Sequence, residues 1–394
     1  FGMIFIYSVM KGKDEALWKK LLWGALFTLL VFNLIGSVSS GGYLGMLAIL
    51  ILGFIILNKR ILQWKKPIII LFALAALMCF ANFDQLQREF NAAKGFLGSS
   101  EEAAIPGYPQ EKSTEVKTKS RIDYIDTDGN DIKISVEGNE MILTTRPDDP
   151  ASVKIRDKKG NIIPLELISA EDGYLHEFKD ERFSMCKLRP ATDDEGNYYY
   201  VIYVDESEWT FRLTEKGPLF LNRLGSLMDL NPVEQIGFEN NPNFGSGRGF
   251  IWGTSLPMLK DTVLIGHGAD TYCIYYPHSN YVGKYNAGWD LNLVVDKPHC
   301  MYLGIAINTG IISLLALIAL WGIYIVQSIR LYFRKDFGSD FITFTGAGIF
   351  FGICGFLAAA LVNDSSVSVT PLFYGLLGTG IAINMILKNR FHVE

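Results

Sequence analysis

Apolar residues in this chain come in blocks, each close to the ~20 residues that cross a hydrocarbon core. The blocks fall at 21–35, 42–57, 67–83, 301–329, 341–362 and 371–387. Residues 1–10 read as the tail of another span. No signal-peptide layout precedes them, so the chain reads as the C-terminal part of a larger protein. The pattern changes between the third and fourth blocks. Residues 84–113 begin polar and helix-prone and become a linker around Ile105–Pro109. From Thr114 to Leu213, short alternating runs are split by turn signals: DTDGN at 126–130, EGNE at 137–140, DKKGN at 157–161, EDG at 171–173 and DEGN at 194–197. The run YYYVIYV at 198–204 is strongly strand-like. Ile132-Lys133-Ile134 before Gly138-Asn139 is echoed by Val153-Lys154-Ile155 before Gly160-Asn161. The pattern predicts a small antiparallel β domain inserted in a membrane protein. After Pro218 the sequence turns helical and irregular, with a loop at 240–247, a short helix over 248–260 and a connection at 296–299 into the fourth block.

Composition supports the membrane reading: 49% of residues are hydrophobic and mean hydropathy is +0.21. The net charge of −5 matters less than where the charges lie. Basic clusters flank alternate blocks: Lys11, Lys13, Lys19 and Lys20; Lys59, Arg60, Lys65 and Lys66; Arg330, Arg334 and Lys335; Lys388 and Arg390. Alternating crossings put all four on one face, which the positive-inside rule makes cytoplasmic. Residues 36–41, 84–298 and 363–370 then lie outside. Small residues at 37–42 allow helices to approach closely. Of five cysteines, Cys79 and Cys354 fall in spans and Cys186, Cys273 and Cys300 outside. Cys273 with Cys300 is one external pair to consider, but the odd external count favours unpaired thiols.

Candidate chemistry gathers between Gly245 and Gly310. Arg248 and Trp252 are four apart and share a helix face. Gly247, Gly249 and Gly253 are expected to leave that face open to a bulky ligand. An arginine fork beside an indole at a bilayer surface suits a lipid-linked phosphate; an interfacial anchor is the other reading. Pro298 fixes the backbone before His299, which is expected in the first turn of the helix opened by Cys300 and Met301. The positive end of that helix disfavours imidazolium, so a neutral ring there suits accepting a proton from a sugar hydroxyl. Free amides at the helix start attract a diphosphate, Lys297 adds charge, and Asp296 is the expected orienting carboxylate. A histidine simply satisfied at the interface is the competing reading. Residues 266–270, GHGAD, read as an anion cradle or, more simply, a glycine turn. The Asp126-x-Asp128-Gly129-Asn130 cluster lacks the glycine position and distal Glu of a calcium loop and reads as a β-turn. His267, Asp270, His278 and His299 lack metal-ligand spacing, so no protein-bound metal and no cofactor is expected.

Taken together, SSGGYLG at 39–45, RGFIW at 248–252, LKDTVLIGHGADTY at 259–272, DKPHCMYLGIAINTGI at 296–311 and NDSSVSVTPLFY at 363–374 resemble the O-antigen ligase/polymerase superfamily. The resemblance is specific for 247–311 and 363–374. The β insertion is similar to loops of Gram-positive members. The resemblance implies a polytopic all-α membrane bundle, GT-C-like, with a large extracytoplasmic loop that carries the β domain. It implies an enzyme of the cytoplasmic membrane that transfers or polymerises glycans from an undecaprenyl-diphosphate-linked oligosaccharide donor, without metal, at the outer face. The acceptor is a hydroxyl of a glycan, lipid or protein, and no nucleic-acid partner is expected. Carried over, Arg248 holds the diphosphate and His299 activates the acceptor, with Trp252, Lys297, Lys260 and Asp270 as substrate-binding residues. Many members have an arginine before the first-motif glycines where this chain has Ser40, so Lys297 or Lys260 is the expected second cation. Cys300 follows the histidine where a polar residue is commoner. The implied division of the chain is transmembrane helices at 1–83, linker at 84–113, β domain at 114–213, catalytic loop at 214–300 and C-terminal helices at 301–394. In this division the β domain tunes the acceptor or assembly without contributing catalytic groups. A reading of a different class is a membrane-anchored receptor whose β domain binds an external ligand.

Overall fold

The computed structural model describes residues 1–11, 14–37, 39–61, 119–149, 152–170, 173–222, 224–239, 241–333 and 340–391. The expected span at 67–83 and the linker at 84–113 lie outside the described residues, as do Lys13, Lys65, Lys66, Cys79, Arg334 and Lys335. Three helices come first: α1 (Gly2–Met10), α2 (Leu17–Ser37) and α3 (Ser40–Ile61). Eleven described strands follow: β1 (Ile122–Asp128), β2 (Asp131–Val136), β3 (Asn139–Thr144), β4 (Lys154–Asp157), β5 (Leu165–Ala170), β6 (Gly173–Phe178), β7 (Cys186–Thr192), β8 (Tyr198–Val204), β9 (Ser207–Thr214), β10 (Gly217–Leu221) and β11 (Leu227–Met228). Then come α4 (Phe244–Ser255), α5 (Tyr272–Tyr275), α6 (Tyr281–Asn286), α7 (Met301–Thr309), α8 (Ile311–Tyr332), α9 (Phe341–Ala359) and α10 (Thr370–Phe391). The described residues of 1–103, 258–275 and 296–394 form one compact unit, and those of 104–257 and 276–295 form another.

In the helical unit, four described helices carry stretches long and apolar enough to cross a membrane: Leu17–Leu34, Ile311–Tyr332, Phe341–Ala359 and Thr370–Arg390. Helix α3 carries a shorter apolar stretch, Gly41–Gly53. The most buried of the four is α9, which contributes Phe344, Ala347, Phe350 and Ile353 to a core shared with Trp321 and Tyr324 of α8 and Leu377 and Leu387 of α10. Between α3 and α9 the backbones close in: a Cβ on Gly45 would stand 2.6 Å from the Gly355 carbonyl. Small residues there replace hydrophobic driving force by close van der Waals contact, and within the SSGG stretch itself a Cβ on Gly41 would stand 3.1 Å from the Ala359 carbonyl. A buried polar chain joins α8 to α10: the Tyr332 hydroxyl donates to Asn384 Oδ1 (2.9 Å), and Asn384 Nδ2 donates to Ser328 Oγ (2.8 Å).

The expected single helix over 301–329 is broken. Gly310, at φ 101°, separates the nine-residue α7 from the 22-residue α8. The break is filled by the chain at 262–268. His267 and Gly268 donate their amides to the carbonyls of Ile307 and Asn308 (3.0 and 2.9 Å), and the Thr262 carbonyl accepts from the Ile311 amide (3.0 Å). A helix end in apolar surroundings needs such partners.

The other unit is built on two antiparallel meanders, with sheet orders β1-β2-β3-β4 and β11-β10-β9-β8-β7-β6-β5. Their buried faces meet in one core: Ile122, Ile132, Ile134, Met141 and Leu143 from the first sheet, and Leu188, Tyr200, Ile202, Trp209 and Phe211 from the second. Along β8, Tyr200, Ile202 and Val204 alternate into this core, the period of two expected of a strand, while Val201 is buried outside it and Tyr199 and Tyr203 are only partly buried. The turn signals at 126–130, 137–140, 157–161 and 194–197 fall at strand ends, while residues 171 and 172 of EDG lie outside the described residues. Glu137 and Gly138, both at positive φ, close β2 onto β3. DKKGN at 157–161 and the run Asp193–Asn197, one residue longer than DEGN, form the same device: Oδ1 of Asp157 or Asp193 accepts amides two and four residues on, and the asparagine side-chain amide donates to Oδ2. Asp126 and Asp128 flank Lys133 in the first hairpin, as the turn reading anticipates. The sheet continues past Leu213, however. Pro218 stands in β10, so the stretch after it is strand rather than helix, and α6 adds Tyr281 and Tyr285 to the core.

Candidate functional site

His299 is held by its backbone before its side chain is considered. The amide of Met301 donates to the carbonyls of Ala360 and Asn363 (3.0 and 2.9 Å), which docks the start of α7 on the end of α9. Cys300, extended, is the N-cap, so His299 precedes the helix rather than lying in its first turn, and it takes the left-handed region at φ 50°. Such a conformation costs on the order of 1 kcal/mol in a residue with a Cβ. Outliers of this kind collect where geometry serves a site. The same docking brings the ring to a carboxylate that was not anticipated: His299 Nδ1 lies 2.8 Å from Asp364 Oδ2. Asp296, the expected orienting group, is exposed. Asp364 is 18% exposed and His299 is 44% exposed, so the pair is anchored on the protein side and open on the other. Nor is the first amide of the helix free for a diphosphate, because Met301 already spends it on α9.

Three of the quoted motifs converge here. A Cβ on Gly41 of SSGGYLG would overlap the Asn363 side chain, Asn363 accepts from Met301, and its neighbour Asp364 holds His299. The rest of NDSSVSVT is spent on the entry to α10, where Ser366 N donates to Thr370 Oγ1 and Thr370 N to the Ser366 carbonyl. Lys297 is exposed two residues before His299. Lys260 and Asp270, also exposed, belong to the 258–275 segment, which fills the break at the opposite end of α7. That is ~13 Å of helix away from His299. GHGAD is no anion cradle in this fold, since the His267 and Gly268 amides cap α7. Cys273 and Cys300 are not joined in a disulfide.

Arg248 and Trp252 belong to the other unit. Gly245, Ser246 and Gly247 form a left-handed arc (φ 59°, 62° and 89°), and regular helix starts at Arg248. The guanidinium Nη1 donates back to the Gly245 carbonyl at 2.6 Å. Trp252, one turn on, packs against Phe238 and Phe244. The glycines do not leave a face open for a ligand, as had been expected: the protein's own chain occupies the space. A Cβ at Gly247 would overlap the Trp289 indole, one at Gly249 would run into the Asn241 and Pro242 carbonyls, and one at Gly253 would meet Phe238. Trp289 is placed in turn by Lys284. Only 2% exposed, Lys284 donates through Nζ to the carbonyls of His278 and Leu291 (2.9 and 3.0 Å) and through its own carbonyl accepts from the Trp289 amide (2.9 Å). Burial pulls the Lys284 ammonium down to about 8, with Asp290 opposing.

Sequence reading missed Asp364, Trp289 and Lys284. Asp364 did carry a signal, a lone carboxylate just past the end of an apolar block inside a motif already singled out. No family model, curated protein or solved structure matches this chain. What the fold defines is a membrane-protein class: among the described residues, four candidate spanning helices with a separate antiparallel β unit.

Proposed function

We propose that this protein is a membrane glycosyltransferase of the O-antigen ligase/polymerase type, moving a glycan from undecaprenyl diphosphate to an acceptor hydroxyl at the outer face of the cytoplasmic membrane. The observation that carries the proposal is the His299–Asp364 pair at the end of a candidate spanning helix. A carboxylate only accepts, so the Nδ1 proton is committed to Asp364, and Nε2 presents its lone pair to an incoming hydroxyl. As the acceptor oxygen attacks the anomeric carbon, its proton passes to Nε2, the bond to the diphosphate oxygen breaks, and the lipid diphosphate leaves as an anion. Arg248 is assigned to that anion by its motif and by the fit of a planar fork to a diphosphate, not by its placement relative to His299. Lys297 serves as the second cation, because it lies beside His299 while Lys260 stands at the other end of α7. Three of the five stretches quoted for the family resemblance, those at 39–45, 296–311 and 363–374, converge on His299, which supports reading those three as parts of one site.

The test is glycan transfer in proteoliposomes holding the full-length protein, lipid-linked donor and candidate acceptors, with donor binding measured in parallel. His299→Ala is expected to lower transfer ~10²–10⁴-fold, the usual cost of losing a general base, with donor still bound. Arg248→Ala is expected to weaken donor binding, and Arg248→Lys to restore it only in part. Full transfer by both alanine variants overturns the assignment. Absence of transfer by the unaltered protein with every acceptor class favours the receptor reading.

A further inference from the structure

The segment that fills the Gly310 break carries a cluster of apolar side chains turned away from the protein. Val263, Leu264 and Ile265 are 48%, 70% and 80% exposed, and after the turn at Gly268 so are Ile274 (77%) and Tyr275 (52%). These side chains are not loose. The Thr262 carbonyl bonds the Ile311 amide, the Leu264 carbonyl faces Gly310, the next amides cap α7, and His267 stacks on Tyr275 with ring centres 3.9 Å apart and planes 7° from parallel. A segment fixed at both ends that still exposes this much aliphatic surface would be costly in water. Contiguous patches rimmed by polar residues mark interaction surfaces, and here the rim is Lys260, Asp261 and Asp270, all exposed.

The occupant follows from what the patch adjoins. Its backbone is bonded to the first residue of α8, a 22-residue helix with the length and apolarity of a membrane span. Helix α8 exposes Ile312 and Leu315 in its first turns. The exposed aliphatic surface of the segment therefore starts where the exposed aliphatic surface of the span starts. We propose that Val263, Leu264, Ile265, Ile274 and Tyr275 form a bilayer-contacting surface, immersed at the boundary between headgroups and acyl chains, within a stretch that reads in sequence as part of an aqueous loop. Its non-helical backbone is tolerated at that depth because the amides of His267 and Gly268 and the carbonyl of Thr262 are all paired with α7 and α8. Tyr275 places its ring at the headgroup level, where tyrosine is enriched. The rim charges keep the segment from sinking deeper. The inference rests on the membrane-spanning character of α8 and is independent of the transfer reaction proposed above.

A photoreactive benzoylphenylalanine placed singly at Ile265 or at Ile274 of the full-length protein, in nanodiscs of phosphatidylcholine and phosphatidylglycerol, tests it. The same residue at Ile318 of α8 serves as the lipid-exposed reference, and wild-type-like elution and helicity serve as the folding check. After irradiation, intact-mass analysis is expected to show phospholipid adducts at 265 and 274 with yields within about threefold of position 318. A crosslinked dimer would mean a second copy covers the patch, and a crosslink within the chain would mean another segment does; either overturns the proposal. Absence of any adduct at both positions, with normal adducts at 318, means the patch faces water and overturns it as well.

Discussion

The 2.8 Å bond from His299 to Asp364 decides which ring nitrogen faces outward. An amide in place of the carboxylate can donate to Nδ1 as readily as accept from it, which releases the ring to the wrong tautomer. Asp364→Asn is therefore expected to lose transfer nearly as completely as His299→Ala, by ~10²–10⁴-fold, with donor affinity unchanged. The two changes together should cost little more than either alone, because residues that act as a unit are not additive. Steady-state transfer rates of the three variants check this; multiplicative losses would mean that Asp364 acts independently of the ring. Lys284 makes a different prediction. Its ammonium, held at about 8 by burial against ~10.4 in an unfolded chain, binds fewer protons when folded between those values. Stability of its unit should accordingly rise as pH increases from about 8 to about 10.5 and be flat in this term below 8. Lys284→Met removes that dependence. It also strands the His278 and Leu291 carbonyls, so a loss of about 1–3 kcal/mol near neutral pH is expected in denaturant titrations.

At the scale of elements, the arc before α4 and the break before α8 show how local sequence is used. Three successive left-handed residues leave Gly247 at φ 89° under the Trp289 indole. Gly247→Ala thus combines an unfavourable backbone with a steric overlap. It should destabilise the arc by more than the ~1 kcal/mol typical of a glycine change, and Trp289→Ala introduced alongside should recover part of the loss. Donor affinity, if it is read by Arg248, should follow the same order across these variants. Much of this level was legible. The turn signals named the hairpins, because Asp-x-x-Gly-Asn encodes its own loop hydrogen bonds, and YYYVIYV named a strand. The SSGG stretch named a close helix approach. Other features were hidden for physical reasons. An apolar run looks the same whether or not it is broken, and Gly310 acts as a break only because residues 262–268 supply partners from far along the chain. Likewise the Trp289 indole that fills the space at Gly247, and the carboxylate of Asp364 beside His299, come from distant sequence positions that no local pattern connects. The described strands run on past Leu213 to Met228, a continuation hidden because Pro218 reads as a breaker until its strand is seen paired between β9 and β11.

For the whole molecule, two consequences separate the units. In the β unit, Asp157 and Asp193 are each held at about 2, chiefly by the asparagine amide four residues on. Because these values lie below the unfolded ~3.9, the stabilisation is complete above pH 4 and is lost as pH falls toward 2. Near-ultraviolet circular dichroism of the buried Trp209 should report that loss; Asp157→Asn and Asp193→Asn should flatten it. The helical unit raises the question of sidedness. Successive helices α8, α9 and α10 run antiparallel if each crosses the membrane. The starts of α8 and α10 and the end of α9 then share one face, and Arg330, Asp340 and Lys388 the other. The His299–Asp364 pair belongs to the first face and the basic residues to the second, which the positive-inside rule makes cytoplasmic. A cysteine introduced at exposed Ser368 should therefore react with an impermeant maleimide added to intact cells, above the baseline of the native thiols. One at exposed Lys388 should react only after permeabilisation. The reverse pattern would put the pair on the cytoplasmic side. There a lipid-linked donor displayed at the outer face could not reach it, and the glycosyltransferase proposal would fail with the topology.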